Sequence, residues 1–435
     1  MTLPSENDEK LDFKKVAPVL FIILIDLVGL SIIVPLMPLY AARFGANPLM
    51  IGILGSTYPA MQFIGAPILG ALSDRFGRRP VLIVSQIGTL IGFLVLGFAD
   101  SLWLLFLSRV IDGISGANIS TAQAVITDVT NEKTRTQGLG LVGAAFGVGF
   151  VLGPMIATLV LLISNVNYQA VAFTAAFFSL VSILLTVFSL PETRQPAQKG
   201  THHRSPFSFQ AMTDGLHQPV IGILLIVMFA QQLAFGGYEQ LFSLFTLNRL
   251  GMGALDTSKL FALAGLFIIV VQGGLIGRWS KKYGERWLLM LGLSMLALGL
   301  IFTALTPQIP VPWYDQAKLR AEVQGNASTQ LINVDLPPED NKAWTGVIWV
   351  LLASFPAALG GGVLHPAINS MLTKASSKDK AGSILGVSAG FYSAANAITP
   401  LFFGGLFQWF GPPVPFMVGG VLLAVLWLVA MKQVK

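Results

Sequence analysis

The sequence predicts an all-α membrane protein with twelve transmembrane helices in two pseudo-symmetric six-helix bundles. Three observations support this fold class: the composition, the lengths of the apolar segments, and a charged hinge that occurs twice. Hydrophobic residues make up 54% of the 435-residue chain and charged residues only 11%, whereas soluble domains carry about 25% charged residues. Because so few charges cannot cover a soluble globule, we expect lipid to surround most of the chain.

Twelve apolar segments are long enough to cross a bilayer, which takes about 20 helical residues. They cover residues 16–41, 50–72, 80–98, 102–126, 137–162, 169–190, 219–247, 258–277, 287–306, 343–371, 382–406 and 414–431. We expect the first segment to be a retained helix, because no small-residue cleavage site follows it. Two connections are long: a polar linker at 191–218 and a proline-containing loop at 307–342.

The basic residues predict the orientation. With the N-terminus inside, most of the 27 Lys and Arg residues fall in cytoplasmic segments, as expected for a multi-pass membrane protein. The tails 1–15 and 432–435 and the linker 191–218 are then cytoplasmic, and the loop 307–342 is outside. We therefore expect a protein of the inner or plasma membrane, in which the net charge of +6 reflects topology and not binding to nucleic acid.

The charged hinge marks two related halves, 16–190 and 219–431. Its first copy reads Gly70-Ala-Leu-Ser-Asp-Arg-Phe-Gly-Arg-Arg79, and a weaker copy reads Gly277-Arg-Trp-Ser-Lys-Lys-Tyr-Gly-Glu-Arg286. Each copy lies between two apolar segments. Duplicated halves around a central binding site are the architecture of many secondary transporters.

These motifs resemble the signatures of the major facilitator superfamily. The first hinge resembles its loop 2–3 signature, and Gly149-Phe-Val-Leu-Gly153-Pro154 resembles its antiporter signature. The segment from Asp26 to Pro38 is similar to the span-one pattern of twelve-span tetracycline and multidrug proton antiporters. Arg109-Val-Ile-Asp112-Gly113 is similar to the span-four arginine motif, and Pro191-Glu-Thr193 also fits. The resemblance implies a major facilitator fold and export of amphipathic small molecules or drugs against inward proton flow.

The resemblance to tetracycline carriers is incomplete. Those carriers have an acidic residue midway along span three, where this chain has Gly92. They also have a histidine in span eight and an aspartate in span nine, which the segments 258–277 and 287–306 lack. The second hinge has Lys281 where the first has Asp74. The missing charged residues argue against tetracycline itself as the substrate.

Three ionisable residues lie deep within predicted spans and are candidates for proton coupling. Asp26 and Asp112 lie far enough along spans one and four to be roughly 16 Å deep in a core of about 30 Å. Arg109 lies one helical turn from Asp112 on the same face. Two interpretations remain open. The first is a permanent Arg109–Asp112 ion pair that locks span four. The second is a proton carrier, Asp26 or Asp112, that movement of Arg109 loads and unloads.

Other polar residues within the spans are candidate walls of a substrate cavity. Glu239 in span seven could bind a cationic substrate or gate the outer mouth. Together with the aromatic residues, such side chains suit a large amphipathic cavity, although each can instead form an interhelical hydrogen bond. The candidate substrate-binding residues are Gln62, Asn118, Gln123, Gln231, Gln232, Tyr238, Glu239, Gln272, Asn369 and Asn396.

The hinges and the glycine-rich span five are candidates for controlling conformation. Asp74 can accept hydrogen bonds from a helix N-terminus. By resemblance this is the start of span eleven near Ala381, and Arg78 would pair with Asp128 when the inner side is closed. Glycines in span five allow helices to approach, and Pro154 can bend the span. The candidate gating residues are Gly70, Asp74, Arg75, Gly77, Arg78, Asp128, Gly149, Gly153, Pro154, Gly277, Gly284 and Arg286.

The sequence predicts neither an enzyme nor a cofactor site. It has no Cys, and it has no nucleotide-binding loop, nucleophile motif or zinc motif. We expect a monomer that binds a small-molecule substrate and protons within the bilayer. Symport or facilitated movement of a metabolite or lipid remains an alternative. A non-transporting receptor or scaffold, using 191–218 and 307–342, is the alternative of another class.

Overall fold

The computed structural model of the chain is helical, and no strand occurs within the residues it describes. The described residues are 11–116, 118–130, 134–193, 209–324, 335–376 and 381–433. The helices of the first half are α1 Phe13–Ile33, α2 Met37–Arg43, α3 Pro48–Phe76, α4 Arg78–Gly97, α5 Leu102–Ser115, α6 Asn118–Val129, α7 Arg135–Ile163 and α8 Tyr168–Ser189. The remaining helices are α9 Phe209–Leu216, α10 Pro219–Leu250, α11 Ala254–Val270, α12 Ile276–Tyr283, α13 Glu285–Ala304, α14 Gln316–Gln324, α15 Trp344–Ala375, α16 Ala381–Phe410 and α17 Pro413–Gln433.

Within the described residues, ten helical stretches are long and apolar enough to cross a membrane. They correspond to all the predicted spans except four and eleven, which match the pair α5–α6 and helix α16. Span eight is α11 and α12 joined by a π-helical turn, Val271–Leu275. The structure therefore supports an all-α membrane fold, and the loop 307–342 contains a helix of its own, α14.

Two segments predicted as single spans are interrupted. The first, 16–41, is divided between α1 and α2, because Pro35 and Pro38 lack the backbone N–H that a continuing helix would use. The segment 102–126 is divided between α5 and α6 at Gly116. A Cβ at Gly116 would lie 2.6 Å from the hydroxyl of Tyr58, so glycine at this position makes room for a side chain of α3.

Both charged hinges turn at a glycine with the same unusual backbone conformation. Gly77 has φ 101° and ψ 157°, and it separates α3 from α4. Gly284 has φ 84° and ψ 165°, and it separates α12 from α13. Positive φ of this kind is strongly disfavoured for residues with a Cβ. The matching geometry supports the duplication that the sequence predicts.

The two halves meet along α3 with α16 and along α7 with α11. We use "outer end" for the end that carries the loop 307–342, following the predicted orientation. There the contact is backbone to backbone, since a Cβ at Gly404 would lie 2.9 Å from the Cα of Gly52. Ser56 Oγ also accepts from Leu401 N at 3.0 Å, and Ser243 Oγ donates to the carbonyl of residue 35 at 2.7 Å.

Towards the inner end, the glycines of the two hinges lie next to open space. No described atom lies within 4 Å of a Cβ built at Gly70 or Gly277. The inner turn of α3, including Asp74 and Arg75, is exposed.

Candidate functional site

Asp26 lies midway along α1, where Gln86 of α4 holds its carboxylate. Gln86 Nε2 lies 3.3 Å from Asp26 Oδ2 and donates to Ser182 Oγ of α8 at 2.8 Å. Gln86 is fully buried, and Ser179 Oγ donates to the backbone carbonyl of Gln86 at 3.3 Å. Asp26 itself is partly exposed. Gln86 was not predicted as a site residue, although an amide within an apolar span is a detectable signal.

Arg109 and Asp112 form a buried ion pair within α5. Arg109 Nη1 lies 3.1 Å from Asp112 Oδ2, and their side chains are 5% and 2% exposed. The guanidinium carbon lies 5.7 Å from the centroid of the Phe93 ring, a position that favours a cation–π interaction. The Arg109–Asp112 ion pair of the first interpretation is therefore formed in this conformation.

Gly92 of α4 lies directly against this pair. A Cβ at Gly92 would lie 2.9 Å from the Cβ of Asp112 and 3.2 Å from the carbonyl oxygen of Ser108. The position that carries an acid in tetracycline carriers is therefore a close helix contact here, and Asp112 occupies the adjoining space.

Tyr58 of α3 connects the two acidic positions. It lies within electrostatic range of Asp26, Arg109 and Asp112. Gln62, one turn further along α3, donates to the carbonyl of Gly116 at 2.9 Å and lies 3.3 Å from the Tyr58 hydroxyl. The structure thus brings Asp26, Tyr58 and the ion pair into one polar cluster of the first half, and Tyr58 is a member that the sequence analysis missed.

A second polar cluster lies in the other half, around Glu239 of α10. Glu239 is partly exposed, and its carboxylate forms no hydrogen bond or ion pair with the described residues. Tyr392 of α16 is an electrostatic neighbour. Gln232 Nε2 donates to Asn396 Oδ1 at 2.6 Å, which joins α10 to α16 beside Glu239.

The cluster continues along α15. Asn369 Oδ1 accepts from Ser388 Oγ at 2.8 Å, and Asn369 Nδ2 lies 3.4 Å from His365 Nε2. The His365 ring lies 5.1 Å from the ring of Tyr392. Of these residues, only Asn369 is among the candidates that the sequence predicts. His365 follows an apolar stretch and gives no pattern that would distinguish it.

Several predicted substrate-binding residues lie elsewhere. Tyr238 is 7% exposed, packs its ring 4.7 Å from that of Phe242 and hydrogen bonds to Ser354, so it belongs to the packed core. Gln231 is also buried, at 1% exposure. Gln123 is exposed on α6, and the side chain of Asn118 lies outside the described residues.

Gln272 lies at the seam between the halves. It is part of the π-helical turn and donates to the carbonyl of Gly362 at 3.0 Å. A Cβ at Gly147 of α7 would lie 2.7 Å from Gln272 Oε1. The side chain therefore touches both halves, as a residue lining a shared cavity would.

The first hinge is held by carboxylates of its own half. Arg78 Nη1 lies 2.8 Å from Asp74, and Arg78 Nε lies 3.0 Å from Asp128 of α6. Glu192, just beyond α8, accepts from the backbone N–H of Arg78 at 2.9 Å. A Cβ at Gly77 would lie 2.6 Å from Glu192 Oε2. The Arg78–Asp128 pair that the resemblance implies is present. The contact of Asp74 with the start of α16 stays a prediction, and residues 377–380 before that helix lie outside the described residues.

The second hinge contacts two other helices of its half. Arg286 donates to the carbonyl of Met431 in α17 at 3.0 Å. Glu285 pairs with Lys374 of α15 and accepts from Ser370 at 3.2 Å. The two hinges thus use different partners, although their backbone turns match.

The glycines of span five allow α7 to lie closely against α1. Ser31 Oγ donates to the carbonyl of Gly149 at 2.7 Å. A Cβ at Gly149 would lie 2.7 Å from Leu27 Cβ, and one at Gly153 would lie 2.7 Å from Ile32 N. Pro154 lies within α7 without ending it.

Among the described residues, no group of three or more His, Asp or Glu residues could hold a metal ion. The described site consists of two polar clusters, one around Asp26, Tyr58 and Asp112 in the first half and one around Glu239 and Tyr392 in the second half.

Comparison with known proteins gives consistent matches. A family model described as "Major Facilitator Superfamily" matches residues 19–317. The class E tetracycline resistance protein of Escherichia coli is 32% identical over 68% of this chain and 73% of its own length. Multidrug resistance protein 2 of Bacillus subtilis (strain 168) is 24% identical over 93% and 91% of the two chains. The crystal structure of the human organic anion transporter MFSD10 (TETRAN) matches with a TM-score of 0.63 and 23% identity, covering 98% of this chain and 100% of that one, and at that identity it indicates the fold alone.

Proposed function

Because this chain belongs to the major facilitator superfamily, we propose that it exports amphipathic small molecules by proton antiport through alternating access. It is a membrane transporter and not an enzyme. The tetracycline and multidrug resistance proteins among its relatives support drug export. The observation that carries the proposal is the cluster of Asp26, Tyr58 and the Arg109–Asp112 pair within the membrane-spanning part of the first half.

We assign proton exchange to Asp26. The residue is partly exposed, and its carboxylate is oriented by a neutral amide, Gln86. Asp112 is 1% exposed and is already engaged by the guanidinium of Arg109. A rearrangement that moves Arg109 relative to Asp26, with Tyr58 between them, would couple proton release from Asp26 to the change between inward-open and outward-open states.

We assign substrate binding to the faces of the two polar clusters. Glu239 provides a negative charge, Tyr392 lies within electrostatic range of it, and the His365 ring lies 5.1 Å from the ring of Tyr392. Such a combination suits an amphipathic cation, since a carboxylate and aromatic faces both attract positive charge. Gln62, Gln232, Gln272, Asn369 and Asn396 would contribute adaptable hydrogen bonds.

Alternating access would use the seams between α3 and α16 and between α7 and α11. The outer ends are packed in this state, so the next state would open them and close the inner ends. The hinge residues Asp74 and Arg78 lie where such closure would bring them to the start of α16. We place both termini in the cytoplasm, as the positive-inside rule predicts.

Purified protein in liposomes with an imposed pH gradient tests the proposal. Two probes are used: ethidium, which is a fluorescent amphipathic cation, and tetracycline. Movement of either probe opposite to the proton flow supports antiport. Movement in the same direction as protons overturns antiport in favour of symport. If neither probe moves under any gradient, export of amphipathic drugs is rejected and the receptor or scaffold alternative is favoured.

A further inference from the structure

The loop 307–342 forms an ordered strap across the outer end, which we define as residues 307–324 and 335–342. Val311 N donates to the carbonyl of Leu250 at the end of α10 at 3.0 Å. Tyr314 donates to the carbonyl of Pro337 at 2.8 Å, which ties the two parts of the strap together. Apolar strap residues such as Leu319 and Val323 are no more than 5% exposed. These loop contacts anchor the strap to the second half, whereas its helix α14 packs against α2 of the first half.

One strap residue also forms a hydrogen bond to the first half. Glu322 of α14 accepts two hydrogen bonds on the same carboxylate oxygen, Oε1, each 3.0 Å long. One comes from the backbone N–H of Ala254, the first residue of α11. The other comes from the hydroxyl of Tyr168, the first residue of α8. Glu322 thus connects the outer ends of the two halves.

The first-half partner is rigidly held. Tyr168 is 1% exposed, and its ring is stacked on that of Tyr40 with 5.4 Å between centroids. Tyr40 in turn donates to carbonyls at the end of α4, at 3.2 Å from Leu96 and 3.3 Å from Ala99. The guanidinium of Arg43 lies 5.8 Å from the Tyr168 ring. The Tyr168 hydroxyl therefore cannot follow Glu322 if the two halves separate.

The second half leaves room for the carboxylate at a glycine. A Cβ at Gly253, just before α11, would lie 2.6 Å from Glu322 Oε2. The backbone of Gly253 has φ −80°, which any residue can adopt. A glycine at position 253 is therefore explained by the space that Glu322 occupies and not by the backbone conformation.

We infer that Glu322 is a latch on the outer face: carried by the strap of the second half, its carboxylate clasps Tyr168 of the first half and must release it before the outer ends can part. The inference extends the proposed alternating access, on which it rests, by naming the residue that holds the outer face closed. The competing explanation is that Glu322 only caps the start of α11, and this cap lies within a single half.

Tyr168→Phe separates these explanations. It removes the hydroxyl that crosses between the halves, while it leaves the ring stack and the bond from Ala254 in place. Tyr314→Phe is the matched control, because its hydroxyl bonds only within the strap. Gly253→Ala is a second test, since it displaces the carboxylate without removing its charge.

The reporter is a cysteine introduced at Ser243 of α10. Ser243 is fully buried and donates to the carbonyl of Pro35, just after the end of α1. The chain has no native Cys, so an impermeant maleimide added on the strap side labels this position only. In this background we expect Tyr168→Phe, Glu322→Ala and Gly253→Ala each to be labelled several-fold faster than the parent and Tyr314→Phe. Glu322→Gln should remain close to the parent, because the amide oxygen still accepts both bonds.

Combining Tyr168→Phe with Glu322→Ala should add nothing beyond Glu322→Ala, because the two changes remove the same contact. If Tyr168→Phe and Tyr314→Phe are labelled at equal rates and their thermal unfolding is unchanged, the latch is rejected. Capping of α11 would then be the role of Glu322. Labelling requires no substrate and no pH gradient. The latch can therefore fail while drug export is demonstrated, and it can hold even if ethidium and tetracycline are not transported.

Discussion

Gly92 of α4 and Asp112 of α5 are in direct contact, with only 2.9 Å between the Cβ of Asp112 and the place a Gly92 Cβ would occupy. The contact sets the spacing of two helices beside a buried ion pair. It also accounts for one departure from tetracycline carriers, because an acidic side chain at position 92 would lie on top of Asp112.

We therefore expect Gly92→Ala to lower stability by about 1–3 kcal/mol through overpacking, and Gly92→Asp to lower it further by adding a like charge. Thermal unfolding in detergent measures both effects. Gly143→Ala is the matched control, because no described atom lies within 4 Å of its Cβ position. If Gly92→Ala and Gly143→Ala unfold alike, the close contact is not significant for stability.

Asp26→Asn should abolish pH-driven accumulation while leaving downhill exchange of ethidium intact. The change keeps the shape and the hydrogen bond with Gln86 but removes the proton that we assign to the cycle. Transport in liposomes with and without a pH gradient separates the two activities. Asp12→Asn, at the exposed start of α1, serves as the control, and retained coupling in Asp26→Asn would transfer the role to another acid.

Arg109→Met should lower stability by about 3–5 kcal/mol, because it leaves the Asp112 carboxylate buried without its partner. Adding Asp112→Asn should restore much of this loss. The double variant also decides between the two interpretations of the pair. Full proton-driven transport by a stable double variant would make the pair a structural lock only, whereas stability without coupling would assign it to the proton pathway. Chemical unfolding and liposome transport provide the two measurements.

Glu239→Gln should weaken transport of cationic probes and spare neutral ones. Loss of about 1.4 kcal/mol of attraction would raise the apparent KM for ethidium about tenfold. The comparison of a charged and a neutral amphipathic substrate in the same variant is an internal control for folding. Equal losses for both substrates would instead indicate a role in packing or gating.

The outer latch should depend on pH. Burial is the main cause of a raised pKa for Glu322, with a further increase from Asp256 of α11, whereas the bonds from Ala254 and Tyr168 and the charge of Arg43 lower it. An exposed Glu322 in the open state would return towards 4.5. The closed state therefore binds the proton on Glu322 more tightly than the open state does. This proton stabilises the closed state relative to the open state at low pH, and the stabilisation is lost as pH rises through the raised pKa.

We accordingly expect labelling of the Ser243→Cys reporter to slow as the pH on the strap side falls towards 4.5, after correction for maleimide reactivity. Glu322→Gln should remove this dependence, because an amide does not titrate in this range. A pH dependence that persists in Glu322→Gln would assign it to another group.

The local pattern of the chain was enough to predict much of the architecture. Hydropathy located the spans, since each helix in lipid must satisfy its own backbone. The repeated hinge predicted two halves, and helical spacing predicted that Arg109 would meet Asp112 three residues away. Breaks at Pro35 and Gly116 were not predicted, because hydropathy does not report where a helix stops within an apolar segment.

Contacts between distant segments were decided by the tertiary structure alone. Gln86 lies 60 residues from Asp26, and Glu322 lies 154 residues from Tyr168, and no periodicity in a single sequence relates such positions. Burial likewise separated Tyr238, in the packed core, from its neighbour Glu239, which faces the second polar cluster. A side chain's neighbours on its own helix follow from the 3.6-residue repeat, but its neighbours on other helices depend on how those helices pack, and that packing gives Asp26, Glu239 and Glu322 their environments.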